Sequence, residues 1–286
     1  MKMISPLQAI ILGLLQGVTE LFPISSLGHS IILPGLLGWH LDSNATDFVR
    51  FLVATHLATA LVLFFIYWKD WVRIIKGLFR SLAAREIPAA DTDAKLGWLL
   101  VVGTIPVGIL GLLFEKQAKQ FFTSPRQAAL FLVVNGAMLF GAELLRRRRG
   151  AQPETLVGAD ERLAKLSFTQ TLKIGAMQVL ALFPGISRTG SAITGGLLTD
   201  LSHEDALRFS FLLATPVIGA AALLELPGLF TSDPATMTTA LVGAITAAGA
   251  AYLSVKFLVR YFRTQTLAPF AAYCAVAGAL ALLLIR

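Results

Sequence analysis

Residues 16–30 read QGVTELFPISSLGHS. They place Gln16, Glu20, Ser25, Ser26 and His29, together with two glycines and Pro23, inside a segment that is otherwise apolar. A polar group withdrawn from water without a partner costs on the order of several kcal/mol. In a hydrocarbon setting such groups therefore face a cavity or a site rather than lipid. The setting is hydrocarbon, because 56% of the chain is hydrophobic and only 14% charged, with a mean hydropathy of +0.72, well beyond the composition of a soluble domain. The fold class that follows is an all-α polytopic membrane protein. The short alternating segments of a membrane β-barrel are absent.

Outward from this stretch, residues 6–22 are apolar with a helical pattern, Pro23 interrupts them, and a second apolar piece covers only 27–38. At about 1.5 Å per residue that piece reaches roughly 17 Å, too short to cross a hydrocarbon core of about 30 Å. The two pieces are read as a re-entrant helical hairpin with its tip near residues 23–26, at membrane depth, where broken backbone needs protein or a water-filled cavity around it. Lys2 is the only cation before the first run, and no small-residue cleavage pattern closes it, so the run is expected to stay in the mature protein.

Full spans are expected at 51–68, 97–114 and 127–145. The first is followed by a loop carrying Lys69, Arg73, Lys76, Arg80 and Arg85, and the third by Arg146, Arg147, Arg148 and Arg149. By the positive-inside rule both basic segments are cytoplasmic, and the less basic loop at 115–125 lies outside. The net charge of +7 is explained by these segments, and no nucleic-acid partner is expected. The one cysteine, Cys274, cannot form an intramolecular disulfide.

A second half begins near Leu166 and repeats the first. Gln8, Gly13 and Gln16 have the spacing of Gln170, Gly175 and Gln178. LFPISS at 21–26 is answered by LFPGIS at 182–187, LVAT at 52–55 by LLAT at 212–215, and VGTI at 102–105 by VGAI at 242–245. The remaining spans fall at 211–226, 238–256 and 268–285, with cations only after the second of them. Corresponding spans thus run in opposite directions. The expected organisation is a single membrane domain over 1–286, with inverted repeats at 4–145 and 166–286 and a cytoplasmic connector at 146–165. It holds about six spanning helices plus two re-entrant hairpins. Such an architecture brings polar chemistry to the midplane, where the hairpins meet.

Gln16 and Glu20 are four apart and share a helix face. On the second hairpin, residues 184–190 read PGISRTG, with Ser191 and Thr194 just beyond, and Arg188 is the one strong cation nearby. A guanidinium is always charged and presents a planar fork of donors suited to phosphate oxygens. Glycines and hydroxyls at a helix start add a cradle for the same group. Plainer roles exist for each: hydroxyls bonding their own helix, glycines permitting close packing, Glu20 and Arg188 forming only a buried ion pair, and His29 satisfied within the core. His56, flanked by Thr55 and Thr59, is a weaker candidate for the site, and His40 and His203 lie in connecting regions.

The pair Gln16 and Glu20 in a (Glu/Gln)-x-x-x-Glu pattern, the PISSLGH that follows, and PGISRTG at 184–190 resemble the signature regions of the undecaprenyl pyrophosphate phosphatase family, the bacitracin-resistance proteins of bacteria. GTIP at 103–106 and SFLLATP at 210–216 extend the resemblance over nearly the whole chain. It implies a multi-pass hydrolase of the bacterial inner membrane that removes the terminal phosphate of undecaprenyl pyrophosphate. The product, undecaprenyl phosphate, is the lipid carrier of peptidoglycan synthesis. A divalent cation, Mg²⁺ or Ca²⁺, and a site facing the periplasm are implied as well; the chain is also compatible with a homodimer. Residue by residue, Glu20 takes the family's essential acidic position and Gln16 a position that is Glu in many members. Ser26 and His29 match the hydroxyl and imidazole of the first motif, and Ser187 and Arg188 the core of the second. Where the family commonly has PGxSRSxxT, this chain has Thr189 and Ala192, leaving Ser191 or Thr194 to replace the lost hydroxyl.

The expected site therefore contains Glu20, Ser26, His29 and Arg188 as catalytic groups. Gln16, Ser25, Gln178, Gly185, Ser187, Thr189, Ser191 and Thr194 are expected to bind substrate, and Glu20 with Gln16 a metal. Ser26, with His29 or Glu20 as its base, or a directly activated water would be the nucleophile. The alternative from another class is a transporter or flippase for an isoprenyl phosphate, since inverted repeats with broken helices also serve transport; fold alone does not choose.

Overall fold

The computed structural model describes residues 4–39, 41, 45–114, 124–149 and 158–285. Most of them are helical, and there is no strand among them. The expected outer loop from 115 to 123, His40 and the part of the connector from 150 to 157 lie outside the described residues.

The first hairpin consists of α1 (Pro6–Thr19) and α2 (Ser26–Leu36). Helix α1 starts where its sequence dictates: Ser5 caps it, Gln8 returns the capping-box bond and Pro6 fills the first turn, where a missing N–H costs nothing. Five helices are long and apolar enough to cross a membrane: α3 (Thr46–Ile66), α5 (Thr92–Leu113), α6 (Pro125–Arg149), α10 (His203–Phe230) and α11 (Pro234–Tyr261). The second hairpin comprises α8 (Phe168–Gln178), a 3₁₀ turn (Val179–Leu182) and α9 (Arg188–Leu198). Ser167 and Gln170 begin α8 with the same capping box that begins α1.

Two expectations change. The sixth expected span, 268–285, is α12 (Ala268–Leu284), whose 17 residues reach only about 25 Å; it lies along α6 in close backbone contact at Gly136 and Gly278. The basic segment after α3, expected as a loop, is α4 (Trp68–Ala84), entered through Tyr67 alone. Its cations at 69, 73, 76 and 80 recur every three or four residues, which is a helical period. Ile74, Gly77 and Ser81 form the buried face against α5, and Trp98 Nε1 donates to Ser81 Oγ at 2.9 Å.

Helix α1 packs on α11, and α8 packs on α5. A Cβ on Gly13 would overlap the Gly243 carbonyl, and one on Gly175 the Gly103 carbonyl. These are the four glycines that the sequence comparison pairs, so the first helix of each half rests against the later helix of the other.

The basic ends gather on one side of the bundle. With α7 (Ala159–Ala164) they form a charged layer. In it Arg73 and Arg208 each reach Asp160 at 2.8 Å, Arg208 also reaches Asp70 at 3.2 Å, and Arg162 reaches Asp205 at 2.7 Å. Burial pushes the Asp160 carboxyl up, but hydrogen bonds and charge from Arg73 and Arg208 outweigh it and hold the group below the usual carboxylate range. His203, expected to be uninvolved in the site, belongs to this side: Nε2 meets Glu143 Oε2 at 2.8 Å and Nδ1 meets the Arg146 guanidinium.

Candidate active site

The tips of the two hairpins meet. Glu20 caps the end of α1, the chain turns through Pro23, and Ser25, with φ of 70°, caps α2 by accepting from Gly28 N at 3.3 Å. Opposite, Ser187 caps α9 by accepting from Gly190 N at 3.0 Å, which sets Arg188 at the first helical position. Gly185 has φ of 107°, and a Cβ there would overlap the Ala128 carbonyl of α6, while Gly28 approaches its Cα from the other hairpin. Only glycine meets both demands. Asn135 of α6 binds both tips, donating from Nδ2 to Pro23 O at 2.9 Å and accepting at Oδ1 from Ser187 N at 3.0 Å.

Glu20 is the hub. Its Oε1 accepts from Arg188 Nη2 at 3.0 Å, and its Oε2 accepts from Ser26 Oγ at 2.5 Å and from Gln16 Nε2 at 3.3 Å. His56 Nε2 stands 3.4 Å from the same Oε2. Thr189 Oγ1 donates to the Glu20 backbone carbonyl at 2.9 Å and so holds the residue from the second hairpin. Arg188 spends Nη2 on Glu20, yet its Nε and Nη1 are buried without a partner. Unpaired buried donors of a cation are costly, and they are the groups a phosphate would satisfy.

Glu20, Ser25, Ser26, His56, Ser187 and Arg188 line a cavity of about 320 Å³ whose other wall, from α3 and α10, is apolar apart from Glu225. This combination of an anion-binding floor and an apolar wall suits an amphiphile with a phosphate head.

Several residues expected in the site lie behind it. Gln16 is fully buried and touches Glu20 rather than the cavity. Gln178 turns to Gly103 O at 3.2 Å, Ser191 faces Met138 on α6, and the Thr194 hydroxyl is buried without a partner. None of them is on the cavity wall, because α9 presents only its first turn there. Neither Ser191 nor Thr194 therefore replaces the hydroxyl absent at Ala192. His29 Nδ1 is 2.6 Å from Ser25 O and its Nε2 is 2.9 Å from Tyr273 OH, so both ring nitrogens have partners other than Ser26. The structure brings His56, the weaker candidate, onto the cavity wall and adds Asn135 and Tyr273, polar side chains within apolar runs, the signal by which they could have been found.

Among the described residues no three His, Cys, Asp or Glu side chains gather as a metal cage. Gln16 Oε1 is buried with no partner, and with Glu20 and Ser26 it makes an all-oxygen donor set carrying one negative charge. Such a set suits a hard divalent cation such as Mg²⁺ or Ca²⁺, and does not fit a soft metal.

The chain matches, over residues 9–280, the family model described as bacitracin resistance protein BacA. A protein of Mycolicibacterium paratuberculosis named undecaprenyl-diphosphatase is 46% identical over 293 residues, covering 96% of this chain and 95% of that protein. One of the same name from Acidiphilium cryptum is 45% identical over 289 residues, covering 98% of each. Undecaprenyl-diphosphatase 2 of Burkholderia thailandensis is 44% identical over 270 residues, covering 94% of this chain and 93% of its own length. With its two hairpin motifs converging on one cavity and this likeness running almost end to end, the chain belongs to the bacitracin-resistance family, BacA.

Proposed function

We propose that the protein hydrolyses undecaprenyl pyrophosphate to undecaprenyl phosphate and inorganic phosphate, returning the lipid carrier to peptidoglycan synthesis. The observation that carries this reading is the contact of Glu20 with both Ser26 and Arg188, which joins a hydroxyl, its base and a phosphate-binding cation in one cavity. Arg188 binds the pyrophosphate through the donors Glu20 leaves free, with Ser187 beside it. Ser26 Oγ attacks the terminal phosphorus, Glu20 takes its proton, and the apolar wall of α3 and α10 receives the first isoprene units. Phosphoryl transfer asks mainly for such positioning and charge compensation. Mg²⁺ or Ca²⁺ held by Glu20 and Gln16 would supply additional charge neutralisation on the phosphate oxygens.

The cavity is assigned to the periplasmic half of the inner membrane. Its lining takes Val49 to His56 from the beginning of α3 and Val217 to Glu225 from the later part of α10, whereas the basic layer lies at the end of α3 and the start of α10. The basic side is cytoplasmic by charge. Purified protein in detergent is expected to release inorganic phosphate from undecaprenyl pyrophosphate, and Glu20→Ala and Arg188→Ala to release almost none. A transporter would release none even as wild type, and near-wild-type turnover by either variant would refute the assignment.

A further inference from the structure

A wider groove of about 850 Å³ lies on the basic side, but Arg73, Arg80 and Arg208, which line it, are each already paired with aspartates. A polar contact without a part in the chemistry so far lies behind the nucleophile, between α12 and the first hairpin. We propose that Tyr273 is a positioning residue for Ser26, acting through His29 and the Ser25 carbonyl. This deepens the hydrolase reading above, on which it rests.

The backbone creates the need. Ser25 has φ of 70° and ψ of 104°, a conformation that residues with a side chain seldom adopt and keep only where their surroundings enforce it. Its carbonyl oxygen lies in one rigid plane with the nitrogen and Cα of Ser26. Whatever holds that oxygen therefore orients the residue whose Oγ meets Glu20 Oε2 at 2.5 Å. The main-chain bond from His29 N to Ser25 O is long, at 3.3 Å, and Ser25 Oγ accepts from Gly28 N at the same distance. The close contact is made by the imidazole, whose Nδ1 is 2.6 Å from Ser25 O.

A carbonyl oxygen can only accept, so His29 carries a proton on Nδ1. In the neutral ring Nε2 is then an acceptor, and the Tyr273 hydroxyl, 2.9 Å away, donates to it. The two rings lie nearly parallel, with centroids 5.7 Å apart and planes 11° from each other. Tyr273 carries the only hydroxyl of α12, and a hydroxyl in a hydrocarbon setting needs a partner. Bonds at both nitrogens fix the plane of the imidazole. With Nδ1 alone held, the ring can turn about its Cβ–Cγ bond and release the carbonyl. Neither His29 nor Tyr273 lines the cavity, so their effect reaches the reaction through the peptide that joins Ser25 to Ser26.

The neighbouring residue of α12 supports the same tip. Cys274 Sγ is 3.3 Å from Asn135 Nδ2, the group that donates to Pro23 O. One turn of α12 thus bears on the hairpin on both sides of its break.

The test compares phosphate release from undecaprenyl pyrophosphate by the wild type, Tyr273→Phe and Tyr273→Leu in detergent, together with the thermal unfolding of each. Phenylalanine keeps the ring beside His29 and removes only the hydroxyl, whereas leucine removes both. Y273F is expected to keep KM within about twofold while kcat falls at least about tenfold, the signature of a misplaced nucleophile on an intact binding site. Y273L is expected to share that loss of kcat and to unfold at a lower temperature. Nitrogen-15 NMR of the wild-type His29 imidazole is expected to show the proton on Nδ1, and a bare Nδ1 would overturn the proposal even if Y273F did not fold. A Y273F enzyme with wild-type kcat would reduce Tyr273 to packing, and a rise in KM with kcat unchanged would place its effect on binding; either overturns the positioning role while leaving the hydrolase reading intact. Absence of phosphate release by the wild type would overturn both.

Discussion

Glu20 Oε1 and Arg188 Nη2 stand 3.0 Å apart although 168 positions separate them in the chain. Both side chains are largely buried, so removing one strands the charge of the other. Glu20→Ala and Arg188→Ala are each expected to lower stability by about 3–5 kcal/mol and to abolish phosphate release. The paired change Glu20→Gln with Arg188→Met strands no charge; it is expected to unfold nearer the wild-type temperature and to remain inactive. Thermal unfolding in detergent alongside a phosphate assay separates the two losses.

Asn135 holds the tips in register with two hydrogen bonds. Asn135→Leu leaves Ser187 N unpaired and Pro23 O with only the weak Cys274 thiol contact at 4.0 Å, and is expected to cost about 1–3 kcal/mol. The larger effect falls on rate: a displacement of the hairpins by about 1 Å would lower kcat/KM roughly a hundredfold, measurable in steady-state kinetics while the protein still folds.

The parts of this assembly visible in the sequence are those with local causes. Pro23, the short segment after it and the matched LFPISS and LFPGIS locate both tips because chain length and backbone breaks are local properties. The polar groups at the tips were visible for the same reason. Their division into cavity wall and support was not, because it depends on which turn of α9 faces α1: Arg188 reaches the cavity while Ser191, three residues on, faces α6. His56, between Thr55 and Thr59, and Asn135 lie in apolar runs, where the pattern signals an inward face without naming a partner. Helix α4 is not legible from the sign of its charges alone; the three- and four-residue spacing of its cations is the structural signal.

Two glycines with positive φ separate strain from crowding. Gly38 has φ of 64° and open space where a Cβ would go, whereas Gly185 has φ of 107° and the Ala128 carbonyl in that place. Gly38→Ala is expected to cost about 1 kcal/mol, and Gly185→Ala at least about 3 kcal/mol with loss of activity, as read from unfolding midpoints and phosphate release.

The charged layer fixes the acid limit of stability. Asp160 titrates below its ordinary value when folded, so the stabilisation it provides is complete above the unfolded carboxylate pKa near 3.9 and is lost as pH falls through the lower folded value. The unfolding temperature is expected to be insensitive to Asp160 between about pH 5 and 8 and to fall below about pH 4. Asp160→Asn should lower the plateau and flatten that decline.

The crossed packing of α1 on α11 and α8 on α5 has a consequence for biogenesis. Gly13 finds its seat only against Gly243. At about 5–20 residues per second, the ribosome needs roughly 10–50 s to deliver that second surface. Until then the face of α1 that carries Gly13 has no helix to pack against, although α3 and α6 are already available to the hairpin tip. The translocon and its insertases must shelter a half-built polar wedge for most of the synthesis time. A chain truncated before α11 would thus be expected to reach the membrane quality-control proteases, rather than persist as an independently folded half.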